Sequence, residues 1–302
     1  MLTIGSRGSM LALWQARHVQ GLLSAQGLES KIEIIQTTGD KITNVPLAQL
    51  GAQTSSKGLF TKELEDALLD QRIDLAVHSL KDMPTVLPEG LTLAAVPERA
   101  DPFDAVVGLP IEDLPKGAKV GTSALRRHAQ LKALRPDLNI ESIRGNLDTR
   151  LRKLDEGQYQ SIVLACAGLT RLGWQSRIAE RLSPQRMCPA VGQGALALEV
   201  REGDTRLALL NHAPSWNAVT AERACLRAFG GGCQIPLGAY ARYEGSLLTL
   251  DAVVISLDGQ TIIRQHVAQQ NNESPESLGA RAAEALLAKG AREVLHSTEA
   301  QA

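Results

Sequence analysis

Aromatic residues are scarce: three Trp, three Tyr and three Phe make up 3% of the 302 residues. Single-stranded nucleic acid is held largely by stacking its bases on aromatic rings, so this shortage argues against that role. An excess charge of either sign is also missing. Thirty-two Lys/Arg against thirty-three Asp/Glu leave a net charge of -1, which offers no global attraction to nucleic acid or to an acidic membrane surface. The four cysteines (Cys166, Cys188, Cys225, Cys233) form no CxxC pair and no cluster with the six histidines. A zinc site is therefore not expected, and scattered thiols suit a reducing compartment better than a disulfide frame. No apolar run is long enough to cross a bilayer. Met1-Leu-Thr-Ile-Gly-Ser-Arg7 lacks the basic segment and apolar run of a signal peptide. A cytoplasmic protein without metal is expected.

What is present is a rhythm of short apolar strands and amphipathic helices over the first two-thirds of the chain. Leu2–Gly5, Lys31–Thr37, Asp74–Leu80, Leu91–Pro97, Asp104–Gly108 and Ser161–Ala165 are predicted strands. Helices are predicted from Ser9 to Gly27 and over Thr61–Gln71, Thr122–Leu134, Asn146–Glu156 and Gly168–Leu172. Such alternation implies mainly parallel sheets that bind ligands at their carboxyl edges. The last ninety or so residues change character. A helix over Trp216–Phe229 leads through a glycine loop into three strands, Leu237–Tyr243, Leu247–Leu257 and Gln260–Val267, with hairpin turns at Glu244-Gly-Ser246 and Asp258-Gly259. A helix from Ser274-Pro275 to Gly290 completes a small antiparallel α+β domain. No internal sequence repeat is visible.

Charge is concentrated in Lys119–Lys153, where nine Lys/Arg face three acids. Within it, Gly121-Thr-Ser-Ala-Leu-Arg-Arg127 and Ser142-Ile-Arg-Gly-Asn-Leu-Asp-Thr-Arg150 each run into a helix start. Backbone N–H groups there favour anions, and arginine forks grip carboxylates or phosphates in pairs. A solvated basic face would produce the same composition, and the segment alone does not name an anion. Ala76-Val-His-Ser-Leu-Lys-Asp-Met-Pro84 ends a buried strand in a polar cluster. Asp82, beside Lys81, is either a proton-transfer carboxylate or the residue that forms the turn before Pro84. His78 reads as a packed, hydrogen-bonded strand residue. Ser6-Arg7-Gly8-Ser9 places a cation and a hydroxyl at the first helix start, and Lys57 lies in a Gly/Ser/Gln-rich stretch that reads as a flap. Cys233 follows three glycines and precedes Gln-Ile-Pro236. Cysteines in general are buried and inert, but glycines this dense clear space around a sulfur, so an exposed, substituted thiol is expected here.

In this order, the motifs resemble the porphobilinogen deaminase (hydroxymethylbilane synthase) family along essentially the whole chain. The resemblance rests on Arg7-Gly-Ser-Met-Leu-Ala-Leu-Trp-Gln15, Lys57-Gly-Leu-Phe-Thr-Lys-Glu-Leu64, Val77-His-Ser-Leu-Lys-Asp82, Gly121–Arg127, Arg144–Arg150, Pro189-Ala-Val-Gly-Gln-Gly194 and Gly231-Gly-Cys-Gln-Ile-Pro236. It implies an α/β fold: two periplasmic-binding-protein-like domains plus a small C-terminal α+β domain with an antiparallel sheet. The implied division is 1–97, then 98–194, a return over 195–212, and 213–302. It implies a dipyrromethane cofactor joined by a thioether to Cys233, and a reaction joining four porphobilinogen units with loss of ammonia. Hydrolysis would then release hydroxymethylbilane to a uroporphyrinogen-III synthase. Asp82 would be catalytic. Arg7, Ser9, Lys57, Lys81, Ser123, Arg126, Arg127, Arg144, Arg150 and Arg171 would bind cofactor and substrate carboxylates. A monomer is expected.

Two departures stand out. Ala124 occupies a position where the family usually has a second serine, and Ala52-Gln-Thr-Ser-Ser56 lengthens the flap that carries Lys57. Two other classes of function share some of these features: a non-catalytic binder of polyanions and a nucleic-acid binder using Lys119–Lys153. The first predicts no adduct on Cys233, and the second predicts steep salt dependence.

Overall fold

The computed structural model describes residues 1–38, 61–230 and 235–299. The chain forms two compact units, Met1–Ala100 with Ala195–Trp216, and Asp101–Gly194 with Asn217–Ala302.

In the first unit, Leu2–Ser6 (β1), Ser30–Ile34 (β2), Leu75–Ser79 (β3), Leu91–Ala95 (β4) and Leu196–Arg201 (β10) make one sheet in the order β2-β1-β3-β10-β4. β2, β1 and β3 are parallel, whereas β10 runs antiparallel to both its neighbours. Met10–Ala25 (α1) and Lys62–Leu69 (α2) pack on this sheet, and Ile4, Val19, Leu23, Leu75 and Leu198 form the core beneath α1.

The second unit has the same strand order without any matching sequence repeat. Asp104–Gly108 (β5), Lys119–Gly121 (β6), Asn139–Glu141 (β7), Ser161–Ala165 (β8) and Glu180–Leu182 (β9) are arranged β7-β6-β8-β5-β9. Here too three parallel strands adjoin one antiparallel strand, β5. Both sheets are therefore mixed, which corrects the expectation of mainly parallel ones. The reason is that β5 and β10 each enter the sheet from outside its βαβ run. The helices are Leu125–Leu134 (α3), Leu147–Asp155 (α4) and Cys166–Arg171 (α5). Cys166 thus opens the last of these helices, two residues ahead of the start expected at Gly168.

The rest of this unit is Ala213–Arg227 (α6), which begins at its tail end in the first unit, then Leu237–Glu244 (β11), Leu247–Ile255 (β12), Ile262–Ala268 (β13), Pro275–Ala288 (α7) and Ala291–Glu299 (α8). The three strands form an antiparallel meander. Gly290, at φ +86°, ends α7 as expected, but the chain turns directly into α8, which periodicity did not reveal. Gly279 lies where α7 crosses α6. A Cβ there would stand 2.1 Å from Ala221 O, a backbone atom that cannot swing aside. Gly279→Val is expected to destabilise the protein by about 1–3 kcal/mol, read as a lower urea midpoint.

Among the described residues, no helix is long and apolar enough to cross a membrane.

Candidate active site

Parallel strands end on one edge, so the loops that follow them gather there. In the first unit, β1 runs into Arg7 and Ser9, and β3 runs into Leu80–Asp82, a single 3-10 turn. Ser9 caps α1, its Oγ accepting from Ala12 N at 3.3 Å. Gln15, buried on α1, donates to Ser79 Oγ at 2.9 Å and ties that helix to the end of β3. The turn itself is fixed by Leu80 N donating to Ala195 O at 3.0 Å and Met83 N to Leu80 O at 3.1 Å. Leu80 and Met83 point into the core, which leaves Lys81 half-buried and Asp82 exposed. His78 is not part of the exposed cluster. Its Nε2 lies 2.9 Å from Glu199 Oε2 in a buried pair, the packed strand residue expected from the sequence.

In the second unit, β6, β7 and β8 are parallel and each is followed by a helix that carries arginine. Ser123, Arg126 and Arg127 follow β6, Arg144 and Arg150 follow β7, and Arg171 ends the helix after β8. The helix after β6 starts at Leu125, not Thr122, because Thr122–Ala124 stay extended and bond across the loops. Ser123 Oγ donates to Ile143 O at 2.6 Å, so in its 2.9 Å contact with Ser142 Oγ the Ser142 hydroxyl donates. The two arginine-bearing loops are thereby stitched together. Gly145, at φ +111°, makes the turn between Arg144 and α4. A side chain there would meet Thr149 at 2.7 Å.

The most buried charges on this edge are Arg126, Arg127 and Asp104. Antiparallel β5 begins where β8 ends, with Asp104 opposite Ala165, so its carboxylate enters at the carboxyl edge. Arg126 Nη1 and Nη2 donate to Asp104 Oδ2 and Oδ1 at 2.7 and 3.3 Å, and Arg127 Nε donates to Oδ1 at 2.9 Å. Arg127 also donates to Val163 O, and Gln193 Nε2 donates to Asp104 Oδ1 at 3.0 Å. Burial alone would raise the Asp104 pKa, but the two guanidiniums together hold it well below the usual carboxylate range. Two guanidiniums against one carboxylate leave a buried excess of positive charge. Neither Asp104 nor Gln193 was singled out from the sequence. The available signal was an acid opening the otherwise apolar, buried run Asp104–Gly108.

Arg171 is largely buried. Desolvation brings its pKa down to about 10, and Nη2 donates to Gly194 O at 2.7 Å. Arg150 Nε donates to Gly145 O at 2.8 Å. Arg144 differs from these, because its buried Nη1 has no hydrogen-bond partner among the described residues. A buried guanidinium nitrogen without an acceptor is costly unless an anion completes it.

Cys166, Cys188 and Cys225 are buried, and burial pushes each thiol up to about 12. None can supply thiolate near neutral pH. Cys233 and Lys57, with the stretch Ala52–Ser56, lie outside the described residues.

Family models for the dipyrromethane-cofactor-binding domain and the C-terminal domain of porphobilinogen deaminase match residues 2–209 and 216–288. The chain belongs to the porphobilinogen deaminase family. It is 47% identical to the porphobilinogen deaminase of Syntrophobacter fumaroxidans, over 98% of this chain and 97% of that one. The Gloeobacter violaceus porphobilinogen deaminase is 52% identical, over 97% of this chain and 92% of its own length. A periplasmic substrate-binding protein of an ABC transporter from Coxiella burnetii aligns over 70% of this chain and 90% of its own, at TM-score 0.44 and 15% identity. As a porphobilinogen deaminase, the chain is a transferase of tetrapyrrole biosynthesis that works on a dipyrromethane cofactor.

That cofactor carries two acetates and two propionates. The arginine edge suits it: the donors there are guanidiniums and hydroxyls, and the buried Arg144 Nη1 lacks, among the described residues, an acceptor that a carboxylate would provide.

Proposed function

We propose that the two carboxyl edges divide the work of assembling hydroxymethylbilane from four porphobilinogen molecules. The carrying observation is the convergence of Ser123, Arg126, Arg127, Arg144, Arg150 and Arg171 on one sheet edge, with Arg144 Nη1 buried and without a partner among the described residues. These residues hold carboxylates of the cofactor and the growing chain. Twelve such groups accompany six pyrrole rings, which accounts for a local arginine excess in a nearly neutral protein. When bound, the dipyrromethane supplies a covalent primer with a nucleophilic pyrrole carbon.

Asp82 holds and moves protons. As ammonia leaves porphobilinogen and a new carbon–carbon bond forms, positive charge develops on pyrrole nitrogen, and an exposed carboxylate at a strand end can stabilise it. Lys81, Arg7 and Ser9 arise on the same edge as Asp82 and bind substrate carboxylates, and Lys57 adds a further cation. Cys233 is the attachment point. We further propose that the chain has three domains at 1–97 with 195–212, 98–194 and 213–302, and that it acts as a cytoplasmic monomer. Its product passes to a uroporphyrinogen-III synthase.

The decisive experiment is intact mass spectrometry. The purified protein is expected to exceed the mass of the bare chain by two deaminated porphobilinogen units, located in the Cys233 peptide. Cys233→Ser is expected to show the bare mass even after incubation with porphobilinogen, and to release no ammonia. A wild-type chain that gains no pyrrole units on incubation would instead be a non-catalytic polyanion binder. Full activity in Cys233→Ser would overturn the tether.

A further inference from the structure

One buried amide holds both backbone polar groups of a single residue, Cys188, beside Arg126. Gln130, 2% exposed on α3 one turn after Arg126, accepts from Cys188 N through Oε1 at 2.7 Å. Its Nε2 donates to Cys188 O at 3.1 Å and to Arg126 O at 3.2 Å. Arg126 Nη1 donates to the same Cys188 carbonyl at 2.6 Å. Burial keeps the Cys188 thiol protonated, so its contribution lies in its backbone.

The bonds of Arg126 divide its guanidinium by direction. Nη1 is spent on Asp104 Oδ2 and Cys188 O, and Nη2 gives one hydrogen to Asp104 Oδ1. What stays without a bond among the described residues is Nε–H and the second Nη2–H. Those two hydrogens are parallel and form the side-on fork that suits a carboxylate. Asp104 alone could let the planar group rock about their shared axis. A second acceptor on Nη1 stops that motion, provided the acceptor itself cannot move.

Cys188 is held on its other side too. It packs with Ala129 of α3 and with Val253 and Ile255 of β12, and a Cβ on Gly238 would come within 2.8 Å of its carbonyl oxygen. The β12–β13 turn closes the same junction, where a Cβ on Gly259 would stand 2.3 Å from Ala133 N. The Cys188 backbone is therefore wedged between α3 and the C-terminal sheet, and Gln130 pins the peptide group on either side of its Cα.

We propose that Gln130 is a positioning residue for Arg126, fixing the Cys188 carbonyl so that the open side of the Arg126 fork is presented to a ligand carboxylate. The inference rests on the reading of Arg126 as a carboxylate-binding residue. It adds that the fork is aimed by a contact shared with the C-terminal sheet.

The test is a double-mutant cycle on the full chain with two readouts. One is the rate at which apo-protein gains mass when incubated with porphobilinogen. The other is the division between KM and kcat in the loaded enzyme. Gln130→Met keeps the volume and removes both polar ends. It is expected to slow mass gain and raise KM about five-fold each, with kcat changed less than about two-fold, as for loss of a contact made equally in ground and transition states. Arg126→Gln is expected to do at least as much. In the double variant, Gln130→Met should add nothing further. Multiplicative effects in the double variant, or wild-type behaviour of Gln130→Met, would overturn the proposal. Wild-type behaviour of Arg126→Gln would instead remove the carboxylate-binding role of Arg126 and the proposal with it. Should Gln130→Met not fold, Gln130→Asn retains an amide one methylene too short to span Cys188 N and O, and it is expected to give the same pattern.

Discussion

Asp82→Asn is expected to lower kcat by roughly 10²- to 10⁴-fold, the usual contribution of a positioned acid–base group. Cofactor mass should remain on the chain. The substitution keeps the shape of the side chain and removes its charge. The turn that carries it is fixed by backbone bonds, Leu80 N to Ala195 O and Met83 N to Leu80 O, so the fold does not depend on the carboxylate. Asp82 is exposed, and the flanking Leu80 and Met83 supply the burial. A thermal midpoint close to wild type, a retained mass excess and ammonia release slowed in step with kcat would together assign proton handling to Asp82. Near-normal turnover would leave it only the role of forming the turn before Pro84.

Asp104→Ala is expected to have the largest effect on stability, about 3–5 kcal/mol, because it leaves Arg126 and Arg127 buried without their shared counter-charge. The thermal midpoint should fall by on the order of 10 °C. Cofactor loading should fail as well, since the arginine pair loses the group that orients it. The same network has an acid signature. The folded pKa of Asp104 lies below its unfolded value of 3.8, so the unfolded chain takes up the proton first as pH falls. Its stabilisation is complete above about pH 4 and fades below that. Denaturant midpoints measured from pH 5 down to pH 2 should show this loss in the wild type. In Asp104→Asn, the share of the slope due to Asp104 should vanish. A stable Asp104→Ala chain with full cofactor mass would show that the arginines find other partners.

Much of the candidate site was legible because its markers are local. Asp82 follows a predicted buried strand, and Arg126-Arg127 and Arg144–Arg150 stand at predicted helix starts, but β6 and β7, which put the arginines on a carboxyl edge, are only three residues long and too short to show a periodicity. Asp104 and Gln193 were not legible. Their partners are 23 and 66 residues from them respectively, both on the Arg127 side chain, and an isolated acid or amide carries no sign of such pairing. Gln130 was hidden for the same reason: on a helix face, a glutamine that clamps a peptide 58 residues away looks like any polar residue. The expected start of the helix at Thr122 failed because hydroxyl groups that cap helices also bond across loops, as Ser123 does.

By itself, the sequence determined the broad alternation of strands and helices, the antiparallel C-terminal meander and the family. Those follow from periodicity, turn residues and motif order, which are properties of neighbours along the chain. The tertiary structure decided that β5 and β10 enter antiparallel and give both units one strand order. It also decided that Asp104 balances two arginines, and that Arg144 keeps a buried nitrogen without a partner among the described residues. These depend on which distant segments share an edge and on which charges lose their water, and both are settled only when the chain closes on itself.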